Sequence, residues 1–432
     1  MTKLQELPVH LAVSQIRQGK LKPSALMAAY AEQIMGLEPK VGAFIQLDLE
    51  GALNQAKMLD AATPEGLLFG VPIGVKDIID TADMPTGYGS PIYANHQPAW
   101  DAACVNEARR QGAVVIGKTV STEFAIFQPG KTANPHNLEH TPGGSSSGSA
   151  AAVGAGMLPL AFGTQTAASV FRPASFCGVV GYKPSFGLIQ RGGVKSLSES
   201  FDTVGLMARN VMDAALFAAA AARRHDLIPA QADQSPKAQQ KPTVGLFRTA
   251  HWDVADESSQ AAVLGFADRL RAQGVNVQDV AVPAVFADLL QAQTDVMLAE
   301  AAIALGYEYA HHKALCSPKL IEVIEAGNAI TLERLQAAKD VITAARAAAK
   351  DLFDQVDVLL SPAAPGEAPK GLSATGDPVF GRSWSALGTP GLTLPGAIGP
   401  NGLPIGVLLS GAYNQDRQFL AAALVLEQLG TA

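Results

Sequence analysis

The chain has little that would cross-link it or draw it to a charge-dense partner. Its 432 residues include only three cysteines, Cys104, Cys177 and Cys316, with no CxxC spacing. An odd, scattered set argues against a disulfide framework or cysteine-based zinc site and for reduced thiols. Charge is scarce as well: 16% of residues are charged, against about 25% in an average domain. The 32 basic and 39 acidic residues leave a net charge of −7. No basic cluster could neutralise successive phosphates, so nucleic acid is not an expected partner. There is no HExxH, internal repeat or heptad array. The opening MTKLQELPVHLAVSQ lacks an apolar core and a small-residue cleavage site. Export by a signal peptide is therefore not expected, and a cytoplasmic location is the default.

What is present is apolar. Hydrophobic residues make up 48% of the chain and mean hydropathy is +0.15, which disfavours intrinsic disorder and allows a sizeable core. Residues 141–171 form an uncharged run of 31, longer than the roughly 20 needed to span a bilayer. It begins TPGGSSSGS and is interrupted by Pro159, so its Gly and Ser would leave backbone groups without partners in lipid. Burial inside protein is the better reading, and no membrane partner is expected.

The chain reads as one domain, 1–432, of α/β class. Residues 1–65 are expected to be helical, with Ser24 as N-cap for ALMAAYAEQIM. Across 67–220, strand-like runs such as AVVIGK alternate with helical ones such as DAACVNEARRQG and SAAAVGAG, the pattern of layered strands and helices. Residues 227–242, polar with Pro near both ends, read as a surface linker. The remainder, 243–432, belongs to the same domain: TVGLFR and VNVQDV are strand-like, 284–356 is mostly helical, and DVLLSPAAP, GLTLP and IGVLLSG are further strands.

Three motifs match well-known patterns without the surroundings those patterns need. Residues 112–119, GAVVIGKT, fit GxxxxGK[ST], but the four intervening residues are strand formers after a helix, whereas a phosphate loop is a turn between strand and helix. An NTPase using Lys118 is the outside alternative. Residues 144–148, GSSSG, fit GxSxG with Ser146 central, yet loop chemistry precedes them instead of a strand. His136 and His140 flank Glu139 four apart, but Pro135 and Pro142 oppose a metal-binding helix.

Two stretches concentrate hydroxyls and small residues, GGSSSGS at 143–149 and GTQTAAS at 163–169. In isolation the first would read as a flexible linker. Next to uncharged, buried segments, such loops suggest backbone N–H groups presented to a ligand or oxyanion. A serine nucleophile needs a base, and none of the eight histidines stands in a recognisable setting. Lys76, among apolar neighbours in GVPIGVKDIID, can serve if burial keeps its amine neutral; the alternative is a structural lysine paired with Asp77.

Together GVPIGVKDIID, GAVVIGKT, PGGSSSGSAAAVGAG and GTQTAASVFRPASFCGVVGYKPSFG resemble the amidase signature family. Ser145 and Ser169 stand 24 residues apart, matching that family's two catalytic serines, and DVLLSPAAP and NGLPIGVLLSG extend the resemblance over nearly the whole chain. NPHN, GTQT and Arg172 three residues after Ser169 are most similar to the malonamidase branch. The resemblance implies a large central mixed β-sheet covered by helices on both faces. It also implies a Ser–cis-Ser–Lys triad, with Ser169 attacking the carbonyl and Ser145, after a cis Gly144–Ser145 peptide, relaying its proton to neutral Lys76. Ser146 would support that turn, and the backbone N–H groups of Thr166, Ala167, Ala168 and Ser169 would form the oxyanion hole. No metal or cofactor is implied. The family usually has Gly-Gly before the nucleophile where this chain has Ala167-Ala168, whose Cβ atoms restrict backbone angles open to glycine.

The expected substrate is a small-molecule amide, or a carbamate (urethane) or ester that shares its tetrahedral chemistry. Arg172 would pair with a substrate carboxylate or tie the loop, and Phe124, Phe127 and Phe171 would line a pocket or pack the core. A homodimer is kept open. The rivals are one subunit of a multi-subunit amidotransferase for misacylated tRNA, and a noncatalytic binding protein on the same fold.

Overall fold

The computed structural model describes residues 3–229 and 241–430. Its eleven strands form one sheet. In chain order they are β1 (Phe44–Leu47), β2 (Pro72–Lys76), β3 (Val114–Thr119), β4 (Leu160–Gln165), β5 (Val180–Lys183), β6 (Thr203–Ala208), β7 (Val244–Leu246), β8 (Val277–Asp279), β9 (Val358–Pro362), β10 (Gly391–Ile398) and β11 (Pro404–Ser410). Their spatial order is β1-β3-β2-β4-β6-β5-β10-β11-β9-β7-β8. β3, β2 and β4 run parallel, as do β9, β7 and β8, and antiparallel pairings link the two groups. With fourteen α-helices among the described residues, this is a mixed α/β fold, as expected.

Alternating residues of the strands enter two different cores, which puts packed helices on both faces of the sheet. Val115, Leu206, Leu360 and Val407 join one cluster with the helix Val211–Ala222. Val114, Met207, Leu359 and Leu408 join the other with the helices Ser147–Gly154 and Phe286–Ala304. A strand buried on both faces reads as a continuous apolar run, which is why AVVIGK and DVLLSP show no alternation.

Two details depart from the expectations. The N-terminal segment contains β1, which pairs antiparallel with β3. Its four residues, FIQL, carry too little periodicity to separate from the helices Pro23–Val41 and Leu49–Leu59 on either side. Ser24 is not the N-cap of its helix: Pro23 occupies the first turn, and Ser24 bonds instead to Asp60 through its N–H (2.9 Å) and hydroxyl (2.5 Å). Most of the 227–242 linker, residues 230–240, lies outside the described residues.

The parallel trio positions the site. The helix Ala103–Arg110 lies in the crossover from β2 to β3, and the helix Ser147–Gly154 in that from β3 to β4. Lys76 and Gln165 are therefore the last residues of neighbouring parallel strands, and the loop starting at Thr166 opens beyond their carboxyl ends, where open α/β sheets commonly bind ligands.

Candidate active site

Lys76 is fully buried, and its Nζ lies 2.7 Å from Ser145 Oγ and 2.8 Å from Thr164 Oγ1. Burial lowers its pKa from the ordinary lysine value to about 7, with the charge of Asp202 acting in the opposite sense. Asp77 is not its partner. That carboxylate sits 3.9 Å from Lys118, which also donates to Ile79 O and Thr86 Oγ1. The lysine of the phosphate-loop lookalike is thus a buried tie on β3, and the residues before it are strand, not loop.

The Gly144–Ser145 peptide is cis. Ser146 holds this turn against β4: its hydroxyl donates to Thr164 O and accepts from Thr164 N–H, both at 3.2 Å. Ser145 and Ser169 line one cavity, with Lys76 behind Ser145 and not on the wall. Ser169 Oγ has no hydrogen-bond partner among the described residues, so the link from Ser169 to Ser145 is open while that from Ser145 to Lys76 is closed. A neutral amine placed there can take a proton from Ser145, which in turn faces the space beside Ser169.

Thr166, Ala167 and Ala168 also line the cavity. The N–H groups of residues 166–169 donate to no acceptor among the described residues, whereas Val170 and Phe171 N–H both bond Gln165 Oε1. Neither Ala167 nor Ala168 has positive φ, so replacing the usual glycines imposes no left-handed backbone. Space for the extra Cβ comes from the helix Val379–Leu387: a Cβ on Gly381 would stand 2.5 Å from that of Ala168.

Arg172 lines the cavity and is buried. Its Nη2 donates to Gly144 O at 2.6 Å and to Thr375 Oγ1 at 3.0 Å, while Nε and Nη1 have no partner. Burial, reinforced by nearby Arg382, lowers its pKa to about 9, and Asp377 acts in the opposite sense. Half of this guanidinium ties the serine turn, and the other half is buried without a hydrogen-bond partner.

Phe127 lies on the cavity wall, but Phe124 does not; it packs edge-on against Tyr93, 6.1 Å between centroids. Left-handed backbone at Phe124 and Ala125 (φ 45° and 63°) turns the segment so that Ala125 and Ile126 reach the wall instead. Phe171 is core, its ring close to Gly391. The opposite wall, Met297, Ala301 and Val323, comes from two helices whose sequences carry no sign of this role. His136 and His140 bond the carbonyls of Cys177 and Ala368, and no cluster of metal-ligating side chains occurs among the described residues.

The amidase family model matches residues 25–420, and the chain belongs to that family. Among similar proteins, the A-subunit of glutamyl-tRNA(Gln) amidotransferase from Agathobacter rectalis is 31% identical over 94% of this chain and 90% of its own. The protein of the same name from Roseiflexus castenholzii is 32% identical, covering 96% and 94%. A solved amidase superposes with a TM-score of 0.88 at 28% identity, covering 98% and 99% of the two chains. The native peptide amidase of Stenotrophomonas maltophilia does so with 0.82 at 29%, covering 99% and 97%. The malonamidase-like branch finds no support among these relatives. No helix is long and apolar enough to cross a membrane, among the described residues.

Proposed function

We propose that the chain, acting as a single amidase domain, hydrolyses a carbon–nitrogen acyl bond of a small-molecule substrate through an acyl-enzyme on Ser169. The observation that carries this reading is the contact between fully buried Lys76 and Ser145 at 2.7 Å, directly behind the cavity that Ser169 lines. Lys76, neutral above pH about 7, donates to Thr164 and takes the Ser145 proton as Ser145 takes that of Ser169. The Ser169 oxygen bonds the carbonyl carbon, and the unpaired N–H groups of the 166–169 loop receive the developing oxyanion. The leaving amine collects a proton back through Ser145. Water then repeats the sequence on the ester and frees the acid.

The cavity supports a substrate with a compact acyl part: apolar Phe127, Met297 and Val323 share its wall with Arg172, whose Nε and Nη1 have no partner. A carboxylate on the acyl chain would give that guanidinium the counter-charge it lacks, which keeps a malonamate-like half-amide in the reading. Carbamates and esters share the tetrahedral intermediate. A panel of aryl anilides, short aliphatic amides, malonamate, carbamates and esters tests the proposal: turnover of at least one amide that disappears in Ser169→Ala supports it, and turnover that survives Ser169→Ala overturns it.

A second reading rests on the names of the relatives: an amidase component that releases ammonia for a tRNA-dependent amidotransferase with partner subunits. It predicts glutamine hydrolysis that rises when partner subunits are added, against partner-independent turnover under the first reading.

A further inference from the structure

Oxyanion donors work only if they already point at the place where charge will develop. In a trans peptide the C=O of one residue and the N–H of the next point in opposite directions, so anchoring the carbonyl aims the N–H. In the 166–169 loop three successive carbonyls are anchored. Gln293 Nε2 donates to Thr166 O at 3.1 Å, Ser385 Oγ to Ala167 O at 2.7 Å, and Arg172 N–H to Ala168 O at 3.0 Å. The N–H groups on the far side of these three peptides are those of Ala167, Ala168 and Ser169, and all three are unpaired among the described residues. The third anchor is local to the loop. The first two are side chains of distant helices, Phe286–Ala304 and Val379–Leu387, and both are buried.

Each of these two side chains is itself held. Gln293 Oε1 accepts from Arg382 Nη1 at 2.7 Å, which fixes the amide so that its nitrogen faces Thr166. Ser385 Oγ accepts from Gln165 Nε2 at 3.0 Å, which directs its own hydrogen to Ala167 O. Gln165 meanwhile receives Val170 and Phe171 N–H, closing the far end of the loop. The geometry points to Gln293 and Ser385 as positioning residues that aim the oxyanion N–H groups of Ala167 and Ala168 into the cavity. This inference rests on Ser169 being the nucleophile.

The test compares wild type, Gln293→Glu and Ser385→Ala. Gln293→Glu keeps an oxygen for Arg382 but loses the donor to Thr166 O; Ser385→Ala removes the donor to Ala167 O. The readout is the second-order rate at which a fluorophosphonate labels Ser169, mapped by peptide mass spectrometry across pH, because that reaction also places an oxygen in the oxyanion site. Removing a whole donor costs about 100- to 1000-fold, so misaiming one should slow labelling about ten- to a hundredfold in each variant. In Ser385→Ala, which changes no charge and leaves Lys76 untouched, the midpoint of the pH profile should stay where wild type has it. Labelling of folded variants within threefold of wild type, or a shifted midpoint in Ser385→Ala, overturns the inference. Wild type that fails to label at Ser169 instead overturns the underlying reading. Should Gln293→Glu not fold, Ser385→Ala, which deletes a single heavy atom, decides alone.

Discussion

Gly381→Ala puts one methyl where the proposed oxyanion loop, residues 166–169, already is. An ideal Cβ at Gly381 lies 2.5 Å from Ala168 Cβ, 2.7 Å from Ala168 Cα and 2.8 Å from Ala167 O. Non-bonded carbons settle at about 3.5–4.0 Å, so helix and loop must part by roughly 1 Å or more. The helix is the firmer side: buried Phe380 and Trp384 flank the site, and Arg382 is bonded to Gln293. The displacement therefore falls on residues 167–168. Overpacking of this kind costs about 1–3 kcal/mol of stability, and moving catalytic groups by about 1 Å can cost about a hundredfold in rate. Ala168→Gly in the same chain removes only the 2.5 Å contact and leaves the two backbone contacts, so the double variant should stay impaired. Steady-state turnover of whichever amide the panel identifies, with thermal unfolding to confirm the fold, reads the effect. A folded Gly381→Ala with turnover within threefold of the parent would refute this explanation of how the loop is held.

Activity should rise with pH through about 7 to an alkaline plateau, because the proposed proton acceptor is Lys76 in its neutral form, and Lys76→Ala should remove most of it; a flat pH–rate profile would contradict this. Between that folded value and the ordinary lysine value of 10.5 the unfolded chain binds the extra proton, so this group's destabilisation is full below about 7 and fades as pH climbs to 10.5, which pH-dependent unfolding of wild type against Lys76→Met would show. Arg172→Ala should slow every substrate, since Nη2 supports Gly144 O, but should cost carboxylate-bearing amides a further factor of roughly ten to a hundred, the value of a hydrogen bond to a charged group; equal losses on neutral and anionic amides would mean that its role is structural alone. Converting Ala167 and Ala168 to glycine should change turnover by less than about tenfold, as neither needs positive φ, and should lower stability by about 0.5–1 kcal/mol each through backbone entropy. A gain of several hundredfold would show that the alanines impair the loop.

The fold class was legible because buried parallel strands leave unbroken apolar runs and their crossovers leave helical ones. β1 was not: four residues between two helices acquire their structure by pairing with β3. In the site, the stretches around Lys76, Ser145 and Ser169 stand out by composition, since hydroxyls and glycines beside uncharged core need partners. The effect of Ala167-Ala168 could not be read from residue type, because the relief lies at Gly381, more than 200 positions further on. Gln293 and Ser385 were invisible for a similar reason: a polar residue on a helix signals nothing until the carbonyl it faces is known. Of the two roles open to Phe124, core packing applies, and left-handed backbone at that phenylalanine, which a sequence does not announce, gives the cavity wall to Ala125 and Ile126.

The proposed reaction turns on a covalent acyl-enzyme at Ser169. Rapid quenching of the protein during turnover, followed by digestion and mass spectrometry, tests it without reference to steady-state rates. The acyl mass should appear on the peptide containing Ser169 within the first turnover, decay once substrate is exhausted, and be absent in Ser169→Ala. An acyl group mapped to Ser145 or any other residue, or turnover that persists in Ser169→Ala, would contradict it.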